Sequence, residues 1–189
     1  MRNAILIHGL ADKDEYYDAA LPSCSNSHWF PWLQKQLLIN EIKADTPEVP
    51  RPFEMNWEAW VKEVERFPII PETILVGHSM GGGFLIRYLS EHPEVKAAKV
   101  ILVAPWLNRS HEEDATFFDF ELRPEIVDQV ISITVFASDN DHKDVTDSVD
   151  YLKTMLPGAR FVTFHGYGHF CFEDMKTTAF PELLASVLP

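Results

Sequence analysis

Continuous apolar runs alternate along this chain with segments in which apolar residues recur every three or four positions. The runs predict β-strands, and they lack polar positions because both faces of such a sheet are covered. A proline-rich segment predicts a short edge strand, since proline cannot donate to a central ladder. The runs lie at residues 4–7, 73–76, 100–104, 131–137 and 161–164, and the edge strand lies within 42–52.

The segments with helical spacing separate these strands from one another. They cover residues 28–39, 57–64, 80–92, 124–130, 145–156 and 181–188, with Asn56 as a capping residue for the second. Such alternation predicts an α/β fold with about six mostly parallel strands and helices on both faces. We expect one domain over residues 1–189 and no large lid. Irregular loops at 10–27 and 105–123 should therefore shape any pocket.

Composition restricts the partners of the chain. Of its 189 residues 46% are hydrophobic, and 16 Lys and Arg oppose 29 Asp and Glu, giving a net charge of −13. A field of that sign repels nucleic acid and anionic lipid, so neither is an expected partner. Cys24 and Cys171 are too few for a disulfide framework and predict free thiols in a reducing compartment. With no signal peptide or apolar run of about 20 residues, we expect a cytoplasmic protein.

The segment Gly77-His78-Ser79-Met80-Gly81 matches the pattern G-x-S-x-G. In that pattern a sharp turn between a strand and a helix raises a nucleophilic serine above the sheet edge. An apolar run before it and a helical pattern after it supply the required context. Ser79 is therefore the candidate nucleophile, with His78 packed beneath the turn.

A serine nucleophile needs a histidine base and a carboxylate that holds the histidine, in the chain order Ser, acid, His. The segment 164–170 follows the last predicted strand and contains two histidines, His165 and His169. Loop placement and flanking glycines favour His169 as the base. The two histidines are four residues apart, as in a helical zinc pair, but the glycines between them do not favour a helix there.

The loop after strand 131–137 supplies three possible acids, Asp139, Asp141 and Asp144. Spacing leaves Asp139 and Asp141 as alternatives, whereas Asp144 is expected to cap the next helix. The loop does not fit a calcium-binding pattern, so we expect no metal and no cofactor.

Acyl transfer also requires hydrogen-bond donors for the developing oxyanion. The backbone N–H of Met80 lies at a helix N-terminus directly after the nucleophile. The backbone N–H of Leu10, in the loop after the first strand, is the expected second donor. The aromatic residues Trp106, Phe117 and Phe118 are expected either to line an acyl pocket or to pack in the core.

The chain resembles the α/β-hydrolase superfamily, and within it the small serine hydrolases of the retinoblastoma-binding-protein-9 and YdeN-like group. The resemblance rests on the elbow at 77–81, the aromatic segment 28–33, the acid loop 137–141 and the histidine loop 168–170. It implies a three-layer α/β-hydrolase fold with Ser79, Asp141 and His169 as the triad. Two features depart from the group: a longer loop at 11–27 and a polar segment after the acid.

These residues predict a metal-free serine hydrolase that cleaves small esters, thioesters or activated amides through an acyl-enzyme. Two alternatives use the same fold. One is a protein-binding module with little turnover, and the other is an acyltransferase that uses the same three side chains.

Overall fold

A six-stranded parallel sheet forms the centre of the computed structural model, which describes residues 2–110 and 116–188. The strands are β1 (Asn3–Ile7), β2 (Lys43–Asp45), β3 (Ile74–His78), β4 (Ala97–Val103), β5 (Val130–Ser138) and β6 (Arg160–Phe164). Their spatial order is β2-β1-β3-β4-β5-β6, and every neighbouring pair is parallel. The proline-rich segment provides the edge strand β2, as predicted.

Helices cover both faces of the sheet, and alternate residues of each central strand contact opposite layers. The helices are α1 (Lys13–Tyr17), α2 (Phe30–Ile39), α3 (Trp57–Val64), α4 (Met80–Glu91), α5 (Lys143–Met155), α6 (Phe172–Met175) and α7 (Pro181–Val187). In β1, Ile5 and Ile7 belong to one hydrophobic cluster with residues of α3, α4 and α5. Ala4 and Leu6 belong to a second cluster with residues of α2 and α7.

Two segments differ from the predicted elements. The loop predicted at 10–27 contains α1 and a 3₁₀ helix at Cys24–Asn26. Helix α1 buries none of its residues, so no apolar periodicity marks it in the sequence. The helix predicted at 124–130 is a 3₁₀ helix over Pro124–Asp128. Gln129 is its C-cap residue, and Val130 is the first residue of β5.

The cap of α5 also differs from expectation. His142 occupies the N-cap position, and Asp144 lies in the first turn. Its carboxylate accepts hydrogen bonds from the indole N–H of Trp106 and, at 2.7 Å, from the backbone N–H of Ser110. Asp144 therefore holds the segment after β4 rather than capping its own helix.

Two further expectations were an irregular loop at 105–123 and the absence of a membrane-spanning helix. Part of the loop expected at 105–123, residues 111–115, lies outside the described residues. Among the residues that are described, no helix has both the length and the apolar character needed to cross a bilayer.

Candidate active site

The turn between β3 and α4 holds Ser79 in a strained backbone conformation. Its φ of 53° and ψ of −122° lie where L-residues other than glycine are rarely found. The backbone N–H of Ser79 donates to the Val103 carbonyl at 2.9 Å. The Ser79 carbonyl accepts from the N–H groups of Gly82 at 2.9 Å and Trp106 at 3.0 Å. These bonds fix a turn that would otherwise relax.

Glycine is required on both sides of this turn because the backbones approach too closely for a Cβ atom. A Cβ on Gly77 would lie 2.5 Å from the Gly81 carbonyl oxygen. A Cβ on Gly81 would lie 2.4 Å from the carbonyl oxygens of Ile7 and His8, at the end of β1. The G-x-S-x-G spacing thus follows from the packing of α4 against the ends of β1 and β3.

The structure brings Ser79, His169 and Asp141 into one chain of hydrogen bonds. His169 Nε2 lies 2.9 Å from Ser79 Oγ. His169 Nδ1 lies 2.9 and 3.2 Å from the two carboxylate oxygens of Asp141. A carboxylate only accepts, so Nδ1 carries the hydrogen and Nε2 is left to accept the serine hydroxyl. The Asp141 side chain is 1% exposed and that of His169 is 18% exposed.

Asp139 and His165, the alternatives in the sequence, form a separate pair at the surface. His165 Nδ1 lies 2.6 Å from Asp139 Oδ2, and the N–H of Gly166 donates to Oδ1 at 3.0 Å. The hydrogen bond from His165 lowers the pKa of Asp139, with a further contribution from Gly166. Ser79 forms its hydrogen bond with His169, whereas His165 is bonded to Asp139.

Two further hydrogen bonds connect the loop after β5 to the loop after β6. The N–H of Tyr167 donates to Ser138 Oγ at 3.0 Å, and the N–H of Gly168 donates to Asn140 Oδ1 at 2.9 Å. Ser138 Oγ in turn donates to Asn140 Oδ1 at 2.7 Å. Consecutive residues 138–141 thus each bind the segment 165–169. Sequence reasoning did not anticipate this arrangement.

Two other polar groups hold the backbone of His169. His78 is buried beneath the turn, as predicted, and its Nε2–H donates to the His169 carbonyl at 2.8 Å. Burial, together with the nearby His169, lowers the pKa of His78 well below its ordinary value, so the ring is neutral. The N–H of His169 donates to Asp174 Oδ2 at 2.8 Å. Asp174 belongs to α6, a four-residue helix too short for its periodicity to be recognised.

The expected oxyanion donors lie on either side of Ser79. Met80 is the first residue of α4, and Leu10 lines the cleft beside Ser79. A Cβ on Gly9 would lie 2.9 Å from Ser79 Cβ, so the backbone before Leu10 passes directly against the serine. His8 Nδ1–H donates to the Gly9 carbonyl at 2.7 Å, which fixes the orientation of the Gly9–Leu10 peptide.

A cleft of about 1040 Å³ opens above Ser79 and His169. Residues of the segment 10–27 line it, including both tyrosines of α1, and so do residues 171–173. None of the described residues of 105–123 lines it. Both loops were expected to shape the pocket: the expectation is confirmed for residues 10–27 and was wrong for the described residues 105–110 and 116–123, while 111–115 lie outside the described part of the chain.

The aromatic residues of that loop pack in the core instead. The ring of Phe117 lies 5.5 Å from Trp57 and 5.4 Å from Trp60. Phe118 contacts Phe117 and Trp106, each at 5.1 Å. Of the two roles considered for these aromatics, the structure supports core packing.

Two groups of side chains near the cleft could offer ligands to a metal ion. His8, Cys24 and Glu48 form one, and His28, Cys171 and Glu173 form the other, with ligand atoms within 4.8 Å of one another. Both ring nitrogens of His8 are engaged, with Gly9 and with the Val49 N–H. His28 Nδ1 accepts from the Phe172 N–H at 3.1 Å. A metal in either group would have to displace these bonds or use the remaining nitrogen of His28.

Both cysteines are free, as the composition predicted. Burial raises the pKa of Cys24 and of Cys171 to about 12. Each thiol is therefore neutral at physiological pH and a poor nucleophile, because the thiolate is the reactive form. Neither thiol therefore competes with Ser79 as a nucleophile.

Comparison with known proteins agrees with this geometry. Residues 21–186 match a family model described as serine hydrolase. This chain belongs to the serine hydrolase family.

This serine hydrolase also resembles YdeN of Bacillus subtilis (strain 168). The two are 29% identical over 179 residues, which cover 89% of this chain and 91% of YdeN. The crystal structure of the B. subtilis ydeN gene product has a TM-score of 0.79 and 24% identity, covering 99% of this chain and 98% of that one. A YdeN-like structure from Pectobacterium atrosepticum has a TM-score of 0.67 and 19% identity, covering 100% and 94%.

These matches confirm the predicted α/β-hydrolase fold, and with it the YdeN-like group and a hydrolase enzyme. The family description, serine hydrolase, favours the predicted enzyme over the alternative of a protein-binding module with little turnover.

Proposed function

We propose that this serine hydrolase cleaves small carboxylic esters, thioesters or activated amides through an acyl-enzyme on Ser79. One observation carries the proposal. Ser79 Oγ lies 2.9 Å from His169 Nε2 while Nδ1 of the same ring lies 2.9 Å from the buried Asp141 carboxylate. That arrangement prepares the hydroxyl for proton transfer to the ring as it attacks a carbonyl carbon.

The proposed reaction has two halves. In the first, Ser79 Oγ bonds to the carbonyl carbon, His169 accepts the hydroxyl proton, and Asp141 stabilises the imidazolium. The bond to the leaving group then breaks, and His169 returns the proton to that group. In the second half, water attacks the acyl-enzyme with His169 again as base, which releases the acid and restores Ser79.

The oxyanion of each tetrahedral intermediate would accept hydrogen bonds from the N–H groups of Met80 and Leu10. Two features support these donors. Met80 begins the twelve-residue α4, whose N-terminus favours negative charge. The Gly9 carbonyl is turned toward His8, and in a trans peptide the N–H of Leu10 points the opposite way. Each such donor contributes about 3 kcal/mol to the transition state.

The reaction proposed here uses side chains and backbone groups and requires no metal ion or cofactor. Its partner is a small-molecule acyl substrate, and the free cysteines suit the cytoplasm as its location. The acyltransferase alternative shares every step up to the acyl-enzyme and differs in the acceptor.

Labelling with a fluorophosphonate tests the nucleophile. The wild-type protein should acquire one covalent adduct on the peptide that contains Ser79, and Ser79→Ala should acquire none. Ser132→Ala is the matched control, because Ser132 is exposed at the beginning of β5. It should label at the wild-type rate. Equal labelling of Ser79→Ala and the wild type would refute the proposal.

A further inference from the structure

The side chains that line the cleft include several acidic residues and no basic ones among the described residues. Four carboxylates are among its lining residues: Glu15, Asp18, Glu48 and Glu173. No lysine or arginine is among the described residues that line it. A cleft with walls of one sign concentrates its field, and it attracts ligands of the opposite charge.

None of these four carboxylates forms an ion pair with lysine or arginine among the residues that the structure describes. Such pairs lie elsewhere in the molecule, for example Arg87 with Glu91 and Lys153 with Asp150. Lys13 belongs to α1 but does not line the cleft. No lysine or arginine among the described residues therefore neutralises the negative charge of the walls.

Glu48 is the carboxylate with the most restricted surroundings. Its Oε2 accepts from the Ser25 N–H at 2.9 Å. Its Oε1 is buried and has no hydrogen-bond partner among the described residues. Burial raises the pKa of Glu48, but several opposing effects, chiefly the hydrogen bonds from Ser25, together outweigh it; the pKa is lowered, so the group is ionised.

Three of the histidines that line the cleft, His8, His28 and His78, do not supply a compensating charge. Burial lowers the pKa values of His8, His28 and His78. His8 Nε2, the atom 3.9 Å from Glu48 Oε1, accepts the Val49 N–H and so carries no hydrogen. His8 is a neutral neighbour of Glu48 rather than its counterion.

Aromatic faces accompany the carboxylates in the same cleft. Tyr16, Tyr17, Trp32 and Phe172 are among its lining residues, and Tyr17 and Phe172 are largely exposed. An aromatic face attracts a cation through its quadrupole and also accepts the apolar groups of an alkylated ammonium. This second feature favours the same class of ligand as the charge does.

We infer that the cleft selects acyl substrates that carry a positively charged group, such as a quaternary ammonium or a protonated amine, away from the reacting carbonyl. The charged group would lie against Glu48, the other wall carboxylates and the aromatic faces. An anionic substrate would be disfavoured by the same charges. This inference rests on the proposed function, because it assigns a substrate class to the cleft above Ser79.

Three p-nitrophenyl esters provide the test. One carries a trimethylammonium group at the end of its acyl chain, the second replaces that group by tert-butyl, and the third is the monoester of adipic acid, which is anionic. Each kcat/KM is divided by the rate of hydroxide-catalysed hydrolysis of the same ester. We expect the cationic ester to exceed its neutral isostere by about tenfold or more at low salt, and the anionic ester to be the poorest.

Substitutions locate the effect, with the ratio of cationic to neutral kcat/KM as the readout. Glu48→Gln and Glu173→Gln should each reduce the ratio, whereas Glu72→Gln should preserve it. Glu72 is the matched control because it is exposed and precedes β3 at the end opposite to Ser79. Added salt should also reduce the ratio, since screening weakens attraction between exposed charges.

The outcomes separate this inference from the proposed function. A ratio of one or less, in an enzyme that hydrolyses the neutral ester and labels on Ser79, overturns the inference alone. An equal reduction of the ratio by Glu72→Gln and Glu48→Gln also overturns it, because net charge rather than the cleft would then be responsible. Failure to label and to hydrolyse any ester overturns the proposed function and this inference with it.

Discussion

Two aspartate–histidine pairs connect the same two loops, and their surroundings differ sharply. Asp139 and His165 are 46% and 85% exposed, whereas Asp141 and His169 are 1% and 18% exposed. The exposed pair has the shorter contact, 2.6 Å against 2.9 Å. Of the two histidines, only His169 has a serine hydroxyl, that of Ser79, beside its second ring nitrogen. Contact distance between the partners therefore does not identify a functional pair.

Burial is one reason for which we assign the activation of Ser79 to the inner pair in the proposed mechanism. Exposed ion pairs contribute little, because water and salt screen them. Asp141 is buried, so water screens its charge less. Its carboxylate therefore attracts more strongly the imidazolium that would form when His169 accepts a proton. The outer pair instead fixes the loop that carries His169, together with the bond from Gly166 to Asp139.

Removing each histidine should give the largest difference between the pairs. His169→Gln should lower kcat for a p-nitrophenyl ester by about 10⁶-fold, because the hydroxyl of Ser79 loses its base. His165→Gln should remain within about threefold of the wild type, since it loses one exposed contact. Steady-state kinetics measures both. Similar losses in the two variants would contradict the assigned base.

Removing each carboxylate should give the next largest difference. Asp141→Asn should lower kcat by about 10⁴-fold, because an amide favours the wrong tautomer of His169. Asp139→Asn should retain near-normal kcat. A large loss in Asp139→Asn together with a near-normal Asp141→Asn would reverse the assignment of the acid.

Asn140 lies between the two aspartates and should show an intermediate effect. Asn140→Ala removes the acceptor of the Gly168 N–H and should lower kcat by about fivefold, which corresponds to one hydrogen bond of roughly 1 kcal/mol. Asn140→Asp keeps an acceptor and should recover most of the activity. Circular dichroism should confirm that both variants fold. If Asn140→Ala and the wild type had equal kcat, the loop contact would have no part in placing His169.

The smallest effect concerns stability at acid pH. The folded-state pKa of Asp139 is lowered, so its pairing stabilises the fold above the ordinary aspartate pKa and is lost as the pH falls through the folded value. Asp139→Asn should therefore lower the urea midpoint slightly at pH values near 6 and not near 2. Urea titrations at both pH values measure this. An equal or larger difference near pH 2 would contradict the origin of the shift.

Much of the sheet and the nucleophile could be predicted because they depend on local pattern. Each central strand is a continuous apolar run, and the close approach of Gly77 to Gly81 leaves its trace as G-x-S-x-G. The short helices α1 and α6 could not be predicted, since neither buries a residue. Their positions depend on tertiary contacts such as that between Asp174 and the His169 N–H.

The choice of acid could not be made from residue spacing. Asp139 and Asp141 are two positions apart, and in an extended strand such residues would point the same way. The chain turns directly after Ser138, and this turn sends Asp139 toward His165 and Asp141 toward His169. Likewise, nothing local indicates that Trp106 is held by Asp144 instead of lining the cleft. Both outcomes depend on contacts between distant segments.

The central claim is that the Asp141–His169 pair, and not Asp139–His165, activates Ser79. The rate at which a fluorophosphonate labels Ser79, followed by intact mass and peptide mapping, tests it most directly. Asp141→Asn should label at least about 10³-fold more slowly than the wild type, and Asp139→Asn at the wild-type rate. Slow labelling of Asp139→Asn with wild-type labelling of Asp141→Asn, or an adduct on another residue, would contradict the claim.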